Sequence, residues 1–152
     1  MITLDAIKTE HAKITAMIEA FEAQNHEPRT IYFPSATIVL EPDEHYAGII
    51  IGKDGEAPYH LMLLPGEAES VTFEKAKEWA KKAGGELPTR REQSLLFANL
   101  KEWFQPRWYW SSEQSAPSYD YAWAQNFLNG TQYYYRKSNY YRARAVRRLT
   151  IQ

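Results

Sequence analysis

The chain has 152 residues, 44% of them hydrophobic and 24% charged, with five Trp, eleven Tyr and six Phe, a balance that excludes a disordered chain and predicts one core with or without an appendage. It contains no cysteine, which removes disulfide frameworks, thiolate zinc sites, iron–sulfur clusters and cysteine nucleophiles together. The net charge is -1, but no Asp or Glu follows Asp120, whereas Arg136, Lys137, Arg142, Arg144, Arg147 and Arg148 do. Such a basic end fits either nucleic acid or strands whose arginines pair with the acidic remainder, and the second is the expectation here. No apolar run approaches the roughly 18 residues that cross a bilayer. The opening MITLDAIKTEH lacks the basic-then-apolar layout of a secretory signal, so synthesis in a cytoplasm is expected, with no membrane partner.

From Leu4 to about Gln24, the residues Leu4, Ile7, His11, Ile14, Ile18 and Phe21 recur at alternating spacings of three and four, the pattern of a heptad seam on one amphipathic helix. Thr3 is placed to accept a bond from an amide of the first turn, and the Asn25–Pro28 stretch stops the helix. Three heptads are marginal alone, so the stripe packs either on its own domain or on copies of itself. Its narrowness favours a homo-oligomer. His11 reads as a polar register device in that seam rather than as a metal ligand.

Thr30 to Leu64 reads as strands: Thr37–Leu40, then Tyr46–Ile51 and Tyr59–Leu64 joined through the hairpin signal Asp54-Gly55. Two helices follow. The first is predicted over Phe73–Ala83, capped by Thr72 and ended by Gly84-Gly85; the second opens on the capping box Thr89-Arg90-Arg91-Glu92 and runs to about Trp103, with Leu95, Leu96, Asn99 and Leu100 as its buried side. Fourteen of the 22 aromatic residues lie between Trp103 and Tyr141, interspersed with Ser, Asn and Gln. Adjacent strand residues point to opposite faces, so Tyr133-Tyr134-Tyr135 and Tyr140-Tyr141 cannot all enter one core, and some of these rings meet solvent or a partner.

The ordered series Leu87-Pro88-Thr89-Arg90, Tyr109-Trp110-Ser111-Ser112, Ala122-Trp123, Phe127, Gly130 and Arg144-Ala145-Val146-Arg147 resembles the prophage-associated Lcl-type domains of unknown function. The resemblance covers roughly residues 45 to 149 and leaves the opening helix outside. It implies the C-type-lectin-like fold shared with the formylglycine-generating enzyme and with the hypervariable proteins that diversity-generating retroelements mutate. The fold class expected is therefore α+β: a C-type-lectin-like domain over 29–152, with two helices and an irregular, strand-poor C-terminal half, preceded by a helical oligomerisation stem over 1–28. Carried across, Trp110, Ser111, Ser112, Trp123, Phe127, Gly130, Arg144 and Arg147 would be framework. The intervening Glu113, Gln114, Tyr119, Asp120, Tyr121, Gln125, Asn129, Gln132, Tyr133, Tyr135, Asn139, Tyr140 and Tyr141 would face outward as a ligand-binding surface. Tyr offers a large amphipathic contact area while losing only two side-chain torsions, and Ser, Asn and Gln add adaptable hydrogen bonds, which is the chemistry of antibody loops.

The same positions argue against other members of the wider fold. Calcium-dependent lectins use a Glu-Pro-Asn type loop followed by Trp-Asn-Asp. Here Glu41-Pro42-Asp43 lies early, and Trp110 and Trp123 are followed by Ser and Ala, so no late carboxylate cluster supplies calcium's six to eight oxygens. The formylglycine-generating branch works through paired cysteines. His11, His26, His45 and His60 each stand alone, Ser111 and Ser112 lack the Gly-x-Ser-x-Gly elbow, and Gly84-Gly85 lacks the Lys-Ser/Thr of a phosphate loop. His60 is expected to be satisfied by a backbone partner within its strand. No catalytic residue, metal or cofactor is expected. The first expectation is a non-enzymatic recognition module made in a bacterial host and carried on a phage tail or fibre, gripping a host or virion protein or a surface glycan as an oligomer. A second is an intracellular counter-defence or regulatory protein that sequesters a host factor or a nucleotide signal through Arg136, Lys137 and Arg142. A third is a virion component without a ligand.

Overall fold

The computed structural model describes residues 1–26 and 28–152. They form two compact units, residues 1–33 and 34–152. The first is built on helix α1 (Leu4–His26), whose first turn is capped as expected, the Ala6 amide donating to Thr3 Oγ1 at 3.1 Å. Glu27, within the expected stop, lies outside the described residues. The stripe Leu4, Ile7, His11, Ile14, Ile18 and Phe21 runs along α1 with all six side chains exposed.

In chain order the second unit comprises strands β1 (His45–Ile50), β2 (Tyr59–Leu63) and β3 (Ala68–Val71), helices α2 (Phe73–Lys82) and α3 (Arg90–Leu100), and a 3-10 turn over Lys101–Trp103. Five strands follow: β4 (Trp108–Gln114), β5 (Tyr121–Asn126), β6 (Gln132–Arg136), β7 (Tyr141–Ala143) and β8 (Val146–Thr150). The fold is α+β, with an antiparallel sheet of order β1-β2-β8 and a second of order β3-β7-β4-β5-β6 in which only the β4–β7 pair is parallel. The last strand thus returns to lie beside β2, against which Leu63 faces Val146 and Tyr59 faces Thr150.

The strand-poor reading of the C-terminal half is overturned, because five of the eight strands lie there. Its cause is that both faces of β4, β5 and β6 carry rings or amides, which erases the apolar–polar alternation by which a half-buried strand is recognised. Thr37–Leu40 errs the other way. It has the β-branched composition of a strand, but among the described residues it pairs with no other strand.

Consecutive residues of β4 divide the interior into two. Trp110 enters one core with Leu64, Phe73, Ala76, Ala80 and Leu87; Tyr109, pointing the other way, enters a second with Leu61, Leu63, Leu96, Phe127 and Val146. Alanines at 122, 124, 143 and 145 have no exposure and let α2 and the Trp110 ring approach the sheet closely. The capping box forms as the sequence predicts: Thr89 Oγ1 accepts from the Glu92 amide and Glu92 Oε1 from the Thr89 amide, at 3.2 and 2.8 Å. Thr72 precedes α2 in extended conformation, but its side chain makes no capping bond. Asn99 is exposed rather than buried, although its amide reaches the Ala47 carbonyl at 2.7 Å. Strand residue His60 is held through Nδ1 by the Tyr46 hydroxyl at 2.8 Å, not by backbone.

Candidate functional site

The residues expected as framework are tied down by the two cores. Trp110 Nε1 donates to the Val71 carbonyl at 2.9 Å. Ser111 is fully buried, and its Oγ accepts from the Glu113 amide at 3.1 Å; the Ser112 amide donates to the Pro88 carbonyl at 2.8 Å. Phe127 stacks on Phe104 with centroids 3.9 Å apart. Gly130 has φ +81, and a Cβ there would stand 3.0 Å from the Phe97 ring, so only glycine closes the β5–β6 turn against α3 without strain. Arg144 donates to the carbonyls of Trp103 and Leu64 at 2.6 and 2.7 Å, and burial pulls its pKa down from the usual guanidinium value. Arg147 forks onto Glu44 at 2.6 and 3.0 Å. That bond holds the Glu44 carboxyl below the usual carboxylate range.

Trp123 departs from the framework role. Its ring is half-buried, with the Arg90 guanidinium 3.5 Å from its centroid and Tyr134 edge-on at 5.3 Å. It belongs to an aromatic surface that the fold assembles around β6. The register opposes Tyr121 to Arg136, Trp123 to Tyr134 and Gln125 to Gln132 on one face of the sheet, and Ala122 to Tyr135 and Ala124 to Tyr133 on the other. On the second face Tyr135 meets Trp108 at 4.9 Å and Tyr141 at 5.2 Å. On the first, Tyr134 meets Tyr121 at 5.9 Å. Tyr133 and Tyr134, adjacent in sequence, stack at 4.8 Å with 8° between their planes, and this contact links the rings of the two faces into one belt around the end of the sheet. Tyr133 is 50% exposed and Tyr134 38%. Burial in the belt, and then the neighbouring Tyr141 and Tyr133, raise the Tyr135 pKa above the ordinary phenol value.

The other expected surface residues scatter. Tyr119 is highly exposed, with Lys137 Nζ 4.2 Å from its ring centre, and Lys137 also donates to Gln114 Oε1 at 2.7 Å; with Asp120 and Tyr140 these lie at one end of the β5–β6 hairpin. Asn129 sits in the turn at its other end, its Oδ1 accepting from the Thr131 amide at 3.0 Å. Glu113 accepts from the Arg90 amide at 2.6 Å, and Asn139 donates to the Tyr141 hydroxyl at 3.2 Å.

Gln125 is a plain correction. It is 1% exposed, its Nε2 donates to the Gln93 carbonyl at 3.0 Å and its Oε1 accepts from Gln132 Nε2 at 2.7 Å. Gln132 is half-buried and bonded inward to the Arg90 carbonyl as well. Both lie on the face that packs under α3, where amides are needed to satisfy backbone, not a ligand. Sequence reasoning missed Tyr134, Trp108 and Arg90 as surface members. Tyr134 was legible from the Tyr133–Tyr135 run, but nothing local announces that Arg90, at the start of α3, reaches across to Trp123.

At the start of α3 lies an open cleft of about 460 Å³, lined among others by Tyr59, Arg90, Arg91, Ser94, Glu113 and Gln132 and by none of the belt's tyrosine or tryptophan rings. Among the described residues no three His, Asp or Glu side chains come together to hold a metal ion. No protein-family model matches the chain, and no curated protein is significantly similar to it.

Proposed function

We propose that the protein is a non-enzymatic recognition module, a C-type-lectin-like head that grips a partner through the aromatic belt around β6, and that α1 joins heads into an oligomer. The observation that carries this reading is the belt itself: tyrosine and tryptophan rings left half-open, of which Trp108, Tyr135 and Tyr141 are backed by the core around Trp110. Rings held this way contact a ligand with little further loss of side-chain freedom. The return of β8 beside β2 and the placing of two helices between β3 and the other four strands of the second sheet support the lectin-like assignment. The likeness in motif to prophage-associated domains supports a role in phage recognition of a host protein or glycan.

The test is binding of the full chain to an array of printed oligosaccharides and proteins, beside the triple variant Tyr133→Ala, Tyr135→Ala, Tyr140→Ala. The expected result is a ligand whose binding the triple variant weakens at least tenfold while its circular dichroism is unchanged. An array ligand bound equally by both proteins sinks the belt as the site.

The sequestering reading is favoured by one feature, the pairing of Arg90 with Trp123 and of Arg136 with Tyr121, since guanidinium beside a ring suits phosphate beside a base. Binding that falls steeply between low and high salt would select it over the first reading.

A further inference from the structure

We propose that the free edge of β6 is a docking site for an extended peptide segment of a partner protein, which adds a sixth strand beyond β6. This rests on the belt being the binding surface and names the kind of ligand it takes. β6 ends its sheet and pairs on one side only, with β5. The bonds that bracket this pair, the Asn126 amide to the Thr131 carbonyl at 2.8 Å and the Lys137 amide to the Asp120 carbonyl at 2.9 Å, show which residues turn their backbone toward β5. By the two-residue period Tyr133 and Tyr135 do the same, and Gln132 and Tyr134 turn theirs outward. Among the described residues no backbone bond outside the β5 ladder takes up the N–H or C=O of Gln132 or Tyr134.

The other sheet edges are blunted, as natural edges usually are. The register of β1 shifts between Tyr46 and Gly48 and that of β3 between Ala68 and Val71, while β8 is bridged at Val146 by Glu86. β6 runs in unbroken register through five consecutive pairs.

The rings decide between ligand classes. A glycan laid on one face of the sheet would meet either Tyr134 and Trp123 or Tyr135 and Trp108, never both sets. An added strand sends alternate side chains to each face and uses both. The faces differ in character, which fixes the chemistry of the partner. Arg90 and Arg136 accompany Tyr134 and Trp123 on one, so an acidic side chain belongs there; Trp108, Tyr133, Tyr135 and Tyr141 make the other apolar. The partner segment is therefore an extended one, alternating apolar and acidic residues. Docking exchanges the Tyr133–Tyr134 stack for cross-strand contacts with the newcomer.

The test uses a blocked eight-residue peptide of alternating Val and Glu, titrated into the full chain while amide hydrogen exchange is followed by NMR. Exchange at Gln132 and Tyr134 should slow at least tenfold on binding, and a peptide of the same composition broken by a central proline should have no effect. Two variants separate backbone pairing from ring contact. Tyr134→Val and Tyr134→Pro both delete the ring, but only proline removes the outward N–H, at an edge position where the β5 ladder does not use it. Binding to Tyr134→Pro should be at least tenfold weaker than to Tyr134→Val.

Equal affinities of the two variants, no binding of the peptide at millimolar concentration, or binding that leaves both amides exchanging freely would each overturn the proposal. So would protection already present without peptide and rising with protein concentration, which would make a second copy the occupant. An array ligand lost in the triple tyrosine variant but bound normally by Tyr134→Pro would overturn strand addition and leave the belt standing. Failure of every ligand and of the peptide to discriminate the triple variant would overturn both.

Discussion

Glu92 shows how one side chain can serve local and global structure at once. It has no exposure, yet its carboxylate accepts four bonds: from the Thr89 amide at 2.8 Å, the Tyr59 hydroxyl at 2.7 Å, and Arg148 Nε and Nη2 at 2.6 and 2.8 Å. Burial alone would raise its pKa, but the Arg148 and Thr89 bonds outweigh it and the net direction is down. The same pocket pushes the Tyr59 hydroxyl up to about 12, through burial and then through its bond to the carboxylate. Because the folded chain holds the Glu92 proton less tightly than the unfolded chain, this stabilisation is complete above the unfolded glutamate value of about 4.3 and is lost as pH falls through the lower folded value. Urea midpoints taken from pH 6 down to pH 2.5 should therefore drop less steeply in Glu92→Gln than in the natural sequence. Arg148→Met should cost about 3–5 kcal/mol at pH 7, since it strands a buried carboxylate, and Arg148→Met with Glu92→Leu should recover a large part of that loss. Additive losses in the double variant would show that the pair is not the unit described. The capping role of Glu92 was readable from Thr89-Arg90-Arg91-Glu92, a purely local pattern. Its bond to Arg148, 56 residues away, was not.

Among the elements, α3 does most to position the surface. Its first turn bears the capping box, holds Glu113 through the Arg90 amide and aims the Arg90 guanidinium at Trp123. Thr89→Ala should cost about 1 kcal/mol of stability and weaken binding at the belt in addition, because the start of α3 is what sets Arg90. Stability lost with ligand affinity intact would separate the cap from the site. β4, β5 and β6 teach a different lesson. Their residues are strand formers, but Tyr109 and Trp110 both enter cores, Tyr134 and Tyr135 both reach partly solvent, and Gln125 is buried. A strand between two cores, or at an edge ringed on both sides, carries no hydropathy period, so these three strands were hidden from a period count. The two helices kept theirs, because each has one face on a core and one in water.

At the scale of the whole molecule, the proposal that copies associate rests on α1. The six seam side chains of α1 are exposed, from Ile18 at 53% to Leu4 at 65% among the apolar ones, and such a stripe on a helix of 23 residues is covered when copies pair along it. Sedimentation equilibrium of the full chain at tens of micromolar should give an oligomer, and the double variant Ile7→Glu, Ile14→Glu should sediment as a monomer with an unchanged thermal transition of the head. A natural chain that is monomeric at that concentration removes the stem from the account, together with the avidity it would lend to weak single contacts.

By itself the amino-acid sequence determined what depends on near neighbours: the heptad stripe of α1, the two helices with the Thr89–Glu92 box, the Asp54-Gly55 turn with both residues at positive φ, and an excess of tyrosine beyond what one core can absorb. Only the tertiary structure decided which tyrosines share a face, that Gln125 turns inward, that Arg90 lies on Trp123 and that β6 is left with an unpaired edge. Each of these depends on strand register and on contacts between residues far apart in the chain, and no spacing along the sequence encodes them.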